Sequence, residues 1–524
     1  MTHSRSPRPL RSVARPATLG ALALGLAVSA TACSVSNSGG SGSSADGSTV
    51  RIVLPEEPPT LEPCEASLTS TGVVVRSNIT EPLVERDPTS GELGPKLATE
   101  WEQTADDTWT FSLRDDVTFS DGTPFDAEAA AFSIDRAVNS DLGCNVEGYV
   151  FGDVDLELEA TDATTLTVTT PEPDPILPLR ISFVEMVPPS TDTAEKVREP
   201  VGTGPYAVDV WEAGQSLTLA ANPEYWGDAP AYDAANYVWR SEGSVRAAMV
   251  TNDEADVATG LGPTDGAGDL AVEYPNNETT AVRIQTTTPP LDDIRVRQAI
   301  NMAVDREGIT SSLFGESAEV AAQLVPSGIV GFNEELEPAP YDPEAARALL
   351  DEAEADGVDL SPQIRLISRT ALFPRVEETL QVIQQDLSDL GLDVEIELMD
   401  TAGSTEYQER PFPEDSGPYL LVIQHGNQAG DAAFSMDQYL LSDGFQSSGG
   451  TEELDQQIRS AEELTGDERQ EGLADVFAEE PTEVGQFAYL AHMNGVLAVG
   501  PNVSYEPNSA TGDEMHVFEM SPSS

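Results

Sequence analysis

Hydrophobic and polar residues alternate most clearly between residues 97 and 136. Apolar side chains fall at near-alternate positions, the pattern of half-buried strands, and two short strands are predicted there. Asp121 and Gly122 open a tight turn after them. Asp126 can then cap a helix that begins at Ala127, because an aspartate side chain accepts hydrogen bonds from the free amides of a helix start. The stretch therefore predicts a strand, strand, turn and helix unit.

The same reasoning finds strands and helices in alternation along much of the chain. The predicted strands cover residues 50–54, 154–168, 392–398 and 419–423, and the predicted helices cover residues 73–83, 341–355 and 376–390. A chain of 524 residues is too long for a single hydrophobic core, so at least two domains are expected. The proline-rich residues 286–290 are the expected crossing between them.

The amino terminus has the layout of a secretory signal. Four arginines and no acidic residue precede an apolar run at residues 17–32, which ends in small residues directly before Cys33. A cysteine in this place resembles a lipobox, in which the cysteine is lipidated and becomes the new amino terminus. The alternative is plain secretion with an incidental cysteine. Residues 34–48 are rich in Ser and Gly, which predicts a flexible linker.

The charge balance is strongly acidic and excludes some partners. The chain has 92 acidic and 26 basic residues, for a formal net charge of -66. Nucleic acids and anionic membrane surfaces need a basic surface, so neither is expected as a binding partner. The acidic residues are spread over the whole chain, which indicates a solvated acidic surface, and a cationic ligand is the alternative interpretation.

Reactive side chains are few. His425, His492 and His516 have no zinc-binding spacing, and the chain has no recognisable nucleophile motif or phosphate-binding loop. We therefore expect neither an enzyme nor a cofactor. Two cysteines follow the predicted lipidation site, Cys64 and Cys144. In an oxidising compartment an even pair predicts a disulfide, and two buried free thiols are the alternative.

Five motifs resemble, in the same order, those of the extracellular solute-binding proteins of family 5, which serve peptide and nickel ABC importers. The unit at residues 97–136 matches the family's alanine-x-x-tryptophan segment, aromatic strand and Phe-x-Asp-Gly-Thr-Pro turn. The other four read VGTGPY, NPEYWG, PLDDIRVRQAI and YDPEAARALL, at residues 201–206, 222–227, 290–300 and 341–350.

The resemblance implies an α/β, two-lobe periplasmic-binding-protein-like fold of type II, in the large cluster that has an extra subdomain in the first lobe. The ligand cleft of such a fold lies between the lobes, which close about a hinge. The implied organisation is a lipoprotein signal peptide at 1–32, a linker at 33–49, a first lobe at 50–288 with the extra subdomain at about 80–200, a second lobe at 289–489 and a return to the first lobe at 490–524.

The resemblance also suggests which residues reach the cleft. Leu61 and Glu62 lie in a loop that faces the cleft in this family. Asp431 follows a second-lobe strand, close to where peptide-binding relatives hold the ligand's ammonium group, and a surface aspartate is the alternative. Arg375 is the candidate for a ligand carboxylate. His425 is the candidate for a chelated metal, and a locally hydrogen-bonded histidine is the alternative.

The implied function is that of a substrate-binding lipoprotein of an ABC importer, with an oligopeptide as the leading ligand and permease subunits as partners. The protein is expected to act as a monomer, attached only through its lipid to the outer face of the cytoplasmic membrane. An oligosaccharide or a chelated metal is the alternative ligand. A receptor that presents its ligand to a signalling partner is the alternative role.

Overall fold

The computed structural model describes residues 49–66, 69–152, 154–370, 372–508 and 514–523. The predicted signal peptide, Cys33 and the linker up to residue 48 lie outside the described residues. Among the helices of the described chain, none has the length and apolar character that a membrane crossing requires.

Strands and helices alternate along most of the described chain. The strands are β1 (Thr49–Leu54), β2 (Val84–Arg86), β3 (Leu93–Pro95), β4 (Ala98–Ala105), β5 (Thr108–Leu113), β6 (Glu157–Asp162), β7 (Thr165–Thr169), β8 (Tyr206–Glu212), β9 (Ser216–Ala221), β10 (Ala234–Trp239), β11 (Val257–Ala258), β12 (Ala271–Ile284), β13 (Ala318–Val320), β14 (Ile364–Arg369), β15 (Val394–Met399), β16 (Tyr419–Gly426), β17 (Phe487–Val499), β18 (Val503–Ser504) and β19 (Ser521–Pro522). The helices are α1 (Thr69–Val75), α2 (Ala127–Ile134), α3 (Leu177–Ile181), α4 (Gly243–Thr251), α5 (Ile294–Ala303), α6 (Arg306–Ile309), α7 (Pro343–Ala355), α8 (Val376–Leu390), α9 (Thr401–Gln408), α10 (Ala432–Tyr439), α11 (Glu452–Glu462) and α12 (Gly466–Glu483).

A large mixed sheet forms the centre of the protein, in the strand order β15-β14-β16-β12-β17-β11-β1-β10-β9-β8, with β13 paired to β17. β14 pairs in parallel with β15 and β16, and β1 pairs in parallel with β10 and β11. β12 and β17 are antiparallel and lie side by side in the middle of the sheet. We call residues 49–270 the amino-terminal part and residues 285–486 the central part.

β12 and β17 carry the chain between these two parts. Their pairing is interrupted between Pro275 and Glu278, which lie opposite Asn494 and Met493. Such a bulge bends a strand and increases its local twist. The sequence predicts the crossing at residues 286–290, which follow directly after β12. The boundaries of the two predicted lobes stay a prediction.

The unit at residues 97–136 folds as its alternation predicts. β4 and β5 pair antiparallel and join β7 and β6 in a four-stranded sheet. Asp126 caps α2, because its Oδ1 accepts a hydrogen bond from the Ala129 amide at 3.0 Å. Asp121 Oδ1 accepts a hydrogen bond from the Thr123 amide at 2.8 Å and so stabilises the turn.

The helix predicted at residues 73–83 is wrong beyond its first turn. α1 ends at Val75, and Ser77 takes a left-handed conformation with a φ of 55°, which a helix cannot continue through. The chain then turns and passes against Gly204, whose amide donates to the Ile79 carbonyl. A β-carbon on Gly204 would lie 2.5 Å from the Asn78 carbonyl oxygen, so this close approach requires glycine.

Glu81 explains why two of the motifs occur together. Its carboxylate is fully buried and accepts hydrogen bonds from Thr203 Oγ1 at 2.7 Å, Trp226 Nε1 at 2.8 Å and Tyr225 OH at 3.1 Å. Lys96 Nζ lies 3.4 Å from Glu81 Oε1. Burial raises the pKa of Glu81, and Lys96 opposes this shift. A buried carboxylate needs such partners. The VGTGPY and NPEYWG motifs therefore both supply donors to the Glu81 carboxylate.

Two further links hold the amino-terminal part together. A disulfide joins Cys64 and Cys144, whose Cα atoms are 5.3 Å apart. The end of the chain also returns to this part, where Val517 donates its amide hydrogen to Asn78 Oδ1 at 2.9 Å. The loop after α1 is therefore fixed by the carboxy-terminal segment.

The two helices predicted at residues 341–355 and 376–390 are present as α7 and α8. Asp342 caps α7, because its Oδ1 accepts a hydrogen bond at 3.0 Å from the amide three residues further on. α8 ends at Gly391, which has a left-handed φ of 104°. Arg297, in the RVRQAI motif, is buried and donates to the carbonyl oxygens of Leu291 and Val484 at 2.8 and 2.9 Å. This arginine thus fastens α5 to two neighbouring segments.

Replacing Glu81 by alanine should lower the free energy of unfolding by about 3–5 kcal/mol, because Lys96 and three donors lose a buried partner. Urea unfolding followed by circular dichroism measures the change. Glu100→Ala removes an exposed carboxylate from β4 and is the matched control, with an expected change below about 0.5 kcal/mol. Equal stability of the two variants would contradict the role given to Glu81.

Candidate ligand-binding cleft

A cavity of about 1290 Å³ lies between the amino-terminal and central parts. One wall comes from residues 148–180, and the other comes from the end of β12, the loop at 410–416, the end of α10 and α11. Aromatic and proline side chains alternate there with a few amide and charged groups, which is the usual composition of a ligand site. The lining residues used below are Tyr149, Arg180, Gln285, Arg410, Asp437, Gln438, Phe445, Glu462 and Arg469.

Direct contacts join the two parts beside this cavity. Arg180 Nη2 lies 2.8 Å from Asp437 Oδ2. Gln438 Nε2 donates to the Tyr149 carbonyl oxygen at 3.0 Å, and the rings of Tyr149 and Phe445 meet edge to face with centroids 6.1 Å apart. The two parts are therefore in contact around the cavity, as expected for a closed form.

Arg180 is neutralised inside the protein. Its Nε lies 3.1 Å from Asp174 Oδ2, on the same wall, and its Nη2 reaches Asp437 on the opposite wall. Burial disfavours the charged guanidinium, but the two carboxylates outweigh burial and raise the pKa of Arg180. The Arg180–Asp437 pair thus links the two walls and leaves Arg180 little capacity for a ligand.

Three side-chain oxygens in the cavity wall have no hydrogen-bond partner among the described residues. They are Gln285 Oε1, Gln438 Oε1 and Glu462 Oε1. Gln285 is 6% exposed and Gln438 is 2% exposed. A buried polar atom without a partner costs about 1–3 kcal/mol, so a ligand that donates hydrogen bonds here would recover that free energy. The cavity is therefore suited to a ligand with several N–H or O–H groups.

Arg410 is the wall residue best placed to donate to a ligand. Its Nε donates to the Ser447 carbonyl oxygen at 3.0 Å, and within the described chain its two terminal nitrogens have no acceptor. Guanidinium groups bind carboxylates and carbonyl oxygens through such nitrogens. The same wall of the cavity thus offers both donors and acceptors.

Asp431 is buried outside the lining of this cavity. Arg469 donates hydrogen bonds to both carboxylate oxygens of Asp431, from Nε to Oδ2 at 2.7 Å and from Nη2 to Oδ1 at 2.9 Å. Asp431 Oδ1 also accepts the Ala433 amide hydrogen at 3.0 Å and caps α10. A ligand ammonium at Asp431 would have to displace Arg469, and this predicted role stays a prediction.

His425 lies in the core, where its Nε2 is 2.6 Å from Ser435 Oγ and its ring packs on Tyr439 at 4.8 Å. Burial lowers the pKa of His425 to about 3, so the imidazole is neutral. The geometry corresponds to the locally hydrogen-bonded histidine that the sequence left as an alternative. Groups of three or more metal-ligating side chains are absent from the described residues, and a metal role for His425 stays a prediction.

Leu61 and Glu62 are buried and lie outside the lining of the main cavity. Arg136 holds Glu62 through two contacts, Nη1 to Oε1 at 2.7 Å and Nη2 to Oε2 at 3.0 Å. The Val197 amide also donates to Glu62 Oε2 at 2.6 Å. These bonds position the loop that leads to Cys64, and a direct contact of this loop with ligand stays a prediction.

Arg375 lines a second cavity of about 640 Å³, next to the paired strands β12 and β17. It precedes α8 in a left-handed conformation, with a φ of 63°. Its Nη2 donates to Thr264 Oγ1 of the amino-terminal part at 3.1 Å. The structure therefore places Arg375 in a different cavity from Arg410 and Gln438, and its predicted contact with a ligand carboxylate stays a prediction.

Sequence reasoning did not select the residues that line the main cavity. Tyr149, Arg410, Gln438 and Glu462 come from four separate segments and belong to none of the five motifs. One signal was present, since Arg410 is followed by Pro, Phe and Pro in a chain that has few basic residues. The remaining residues come together only through long-range contacts.

The model of the bacterial extracellular solute-binding proteins, family 5 (middle), matches residues 92–447, which is more than half of the chain. The matched range contains the five motifs and most of the cavity wall. The chain belongs to this family.

Two relatives of this family-5 protein show how varied the ligands of similar chains are. The nickel-binding periplasmic protein of Escherichia coli (strain K12) is 28% identical over 353 residues, which cover 61% of this chain and 66% of the relative. The glutathione-binding protein GsiB of Salmonella paratyphi A is 28% identical over 349 residues, which cover 64% of this chain and 66% of the relative. The aligned segment is thus just under two thirds of each relative's length.

Among solved structures, the periplasmic binding protein DppA from Helicobacter pylori, in complex with the peptide STSA, has a TM-score of 0.79 to this family-5 protein. The two chains are 18% identical, and the superposition covers 91% of this chain and 98% of the other. The similarity confirms the predicted α/β, two-lobe fold of periplasmic binding proteins.

Asp431→Asn should lower the free energy of unfolding of this family-5 protein by about 3–5 kcal/mol, because Arg469 keeps a buried charge that is no longer paired. Chemical denaturation measures the change. Asp443→Asn is the matched control, since the side chain of Asp443 is 74% exposed. Unchanged stability with a loss of bound ligand would instead support the predicted ammonium anchor at Asp431.

Proposed function

We propose that this protein captures an oligopeptide in the main cavity and delivers it to the permease of an ABC importer. The observation that carries the proposal is the cavity between two contacting parts, with unpartnered acceptors in its wall. Membership of the solute-binding family supports the importer role. The peptide goes beyond the family assignment, because proteins similar to this chain bind different ligands. Two are named for nickel and glutathione, and one was solved in complex with a peptide.

Size and polarity favour a peptide. The cavity of about 1290 Å³ exceeds the roughly 300–1000 Å³ of pockets for small ligands, so an extended molecule of several residues fits. Gln285 and Gln438 offer carbonyl acceptors to backbone N–H groups, and Arg410 offers donors to carbonyl or carboxylate oxygens. A peptide backbone carries both kinds of group at regular intervals. A chelated metal is less favoured, because His425 lies in the core and its imidazole already contacts Ser435.

Hinge closure is the proposed mechanism of capture. In an open form the Arg180–Asp437 and Gln438–Tyr149 contacts would be broken and the cavity walls would be hydrated. A ligand that touches both walls binds the closed form more strongly, and that difference in affinity shifts the population towards it. The bend in β12 at Pro275–Glu278 is the proposed pivot. The permease would recognise the closed form.

The same proposal includes the predicted anchor. Lipidated Cys33 and the linker at 34–48 would hold the monomer at the outer face of the cytoplasmic membrane, within reach of the permease. The acidic composition supports a membrane contact through the lipid alone, because anionic headgroups repel an acidic surface. ATP would be hydrolysed by other subunits of the importer.

Mass spectrometry of small molecules that co-purify with the signal-free protein, released by denaturation, tests the ligand. We expect a series of short peptides. Arg410→Met should reduce their yield by about tenfold or more, since a hydrogen bond to a charged group contributes about 1.5–3 kcal/mol. Arg347→Met is the matched control. It replaces an exposed arginine of α7 and should leave the yield unchanged. Recovery of a sugar or a metal chelate would overturn the peptide and leave the import role standing.

A further inference from the structure

Glu462 is the least satisfied acid in the main cavity. It is the last residue of α11, and its Oε1 is shielded from solvent and finds no hydrogen-bond donor among the described residues. The carbonyl end of a helix carries partial negative charge, so a carboxylate there is unfavourable. Glu462 therefore sits where its charged form needs a positive partner.

The surroundings of Glu462 carry too little positive charge to supply that partner. Burial, followed by the negative charge of neighbouring Asp437, raises the pKa of Glu462 well above its ordinary value, although Arg180 and Arg469 act in the opposite direction. In the protein as described, Glu462 accordingly holds a proton more readily than an ordinary glutamate.

Both nearby arginines are already committed to other groups. Arg180 contacts Asp174 at 3.1 Å and Asp437 at 2.8 Å. Arg469 holds Asp431 with two bonds and donates from Nη1 to the backbone carbonyl oxygen of Glu462 at 2.5 Å. Three carboxylates thus occupy the two guanidinium groups, and neither arginine contacts the Glu462 carboxyl group. With Glu462 included, the four carboxyl groups exceed the two guanidinium groups by two negative charges when all are ionised.

The other charged residues that line the cavity add no net positive charge, since two are basic and three acidic, namely Arg410, Arg459, Glu172, Glu414 and Asp443. Arg459, one turn before Glu462 on α11, lies 3.8 Å from Asp443, and both side chains are mostly exposed. They form a pair at the rim. The excess negative charge therefore stays with Asp437 and Glu462, inside the cavity.

A second observation points independently to a ligand. Gln438 follows Asp437 on α10 and is 2% exposed, and its Oε1 has no hydrogen-bond partner in the part of the chain that the structure describes. Its Nε2 is already used, because it donates to the carbonyl oxygens of Tyr149 and Phe434. Gln285 Oε1, 6% exposed at the end of β12, is unpartnered in the same cavity. Three acceptors without donors thus line one cavity.

We infer that Glu462, with Asp437 and Gln438, binds a positively charged ammonium or guanidinium group of the ligand. The inference rests on the proposed function, since it names a chemical feature of the captured ligand. When Glu462 is protonated, its proton leaves for bulk water as the ligand cation takes its place beside the carboxylate. Affinity for a cationic ligand therefore rises with pH until Glu462 is ionised in the free protein, whereas affinity for a neutral ligand does not.

Isothermal titration calorimetry near neutral pH, in phosphate and in Tris buffer, tests this exchange. Buffers with different ionisation enthalpies reveal how many protons are released on binding. The probes are tetra-alanine with a free amino group, the same peptide N-acetylated, and an N-acetylated tetrapeptide with one lysine. We expect the two cationic probes to bind about tenfold or more tightly than the neutral one and to release up to one proton each. The free-amine and lysine arms distinguish a terminal from a side-chain cation.

Variants assign the released proton to Glu462. Glu462→Gln should bind all probes with similar affinity and release no proton, while Glu463→Gln, which changes the adjacent exposed carboxylate, should behave as the unaltered protein. Asp437→Asn removes the neighbouring negative charge and should move proton release to lower pH. Thermal unfolding shows that each variant is folded.

The outcomes separate this inference from the proposed function. Equal binding of cationic and neutral peptides without proton release overturns the inference and leaves peptide capture intact. If no peptide binds, the oligopeptide proposal fails, and spermidine and agmatine are then tested as cations that are not peptides. The inference is supported if one of these two cations binds with a proton release that Glu462→Gln abolishes. It is overturned if neither cation binds.

Discussion

The antiparallel pair of β12 and β17 is the constraint on which the rest of the structure depends. These strands run through the middle of the main sheet, so the amino-terminal and central parts share one hydrogen-bonded ladder. Relative motion of the parts must therefore bend this ladder, whose pairing is already interrupted at two places, between Pro275 and Glu278 and between Thr280 and Ala281. The main cavity, the Arg180–Asp437 contact and the second cavity with Arg375 all lie between the elements that this ladder connects.

Eight arginines are buried in the part of this acidic chain that the structure describes. Arg246, Arg283 and Arg306 are nearly inaccessible to solvent and donate to backbone carbonyl oxygens. Glu62 and Asp431 are likewise buried against an arginine partner each. Buried arginines thus neutralise internal acids and satisfy loop carbonyls, and most of the negative charge is left at the surface. The main cavity departs from this balance, because Asp437 and Glu462 exceed the positive charge beside them.

Local structure was predictable from the sequence, and the ligand site was not. The caps at Asp126 and Asp342 and the helix end at Gly391 depend on neighbours within a few residues, so sequence patterns identify them. The family motifs predicted the two-lobe fold, and Glu81 shows that their residues are structural. Tyr149, Gln438 and Glu462 meet only through packing of distant segments, which no local pattern encodes. The helix predicted at 73–83 is wrong for a similar reason, since contact with Gly204 decides the path there.

The central claim is that the two parts close over a ligand in the main cavity. Spin labels at the exposed positions Thr161 on β6 and Glu453 on α11 allow their distance to be measured by double electron–electron resonance. Protein stripped of ligand by denaturation and refolding should show a longer distance, which returns to the shorter value when the released ligand is added back. A distance distribution that does not change with ligand would contradict closure over the cavity.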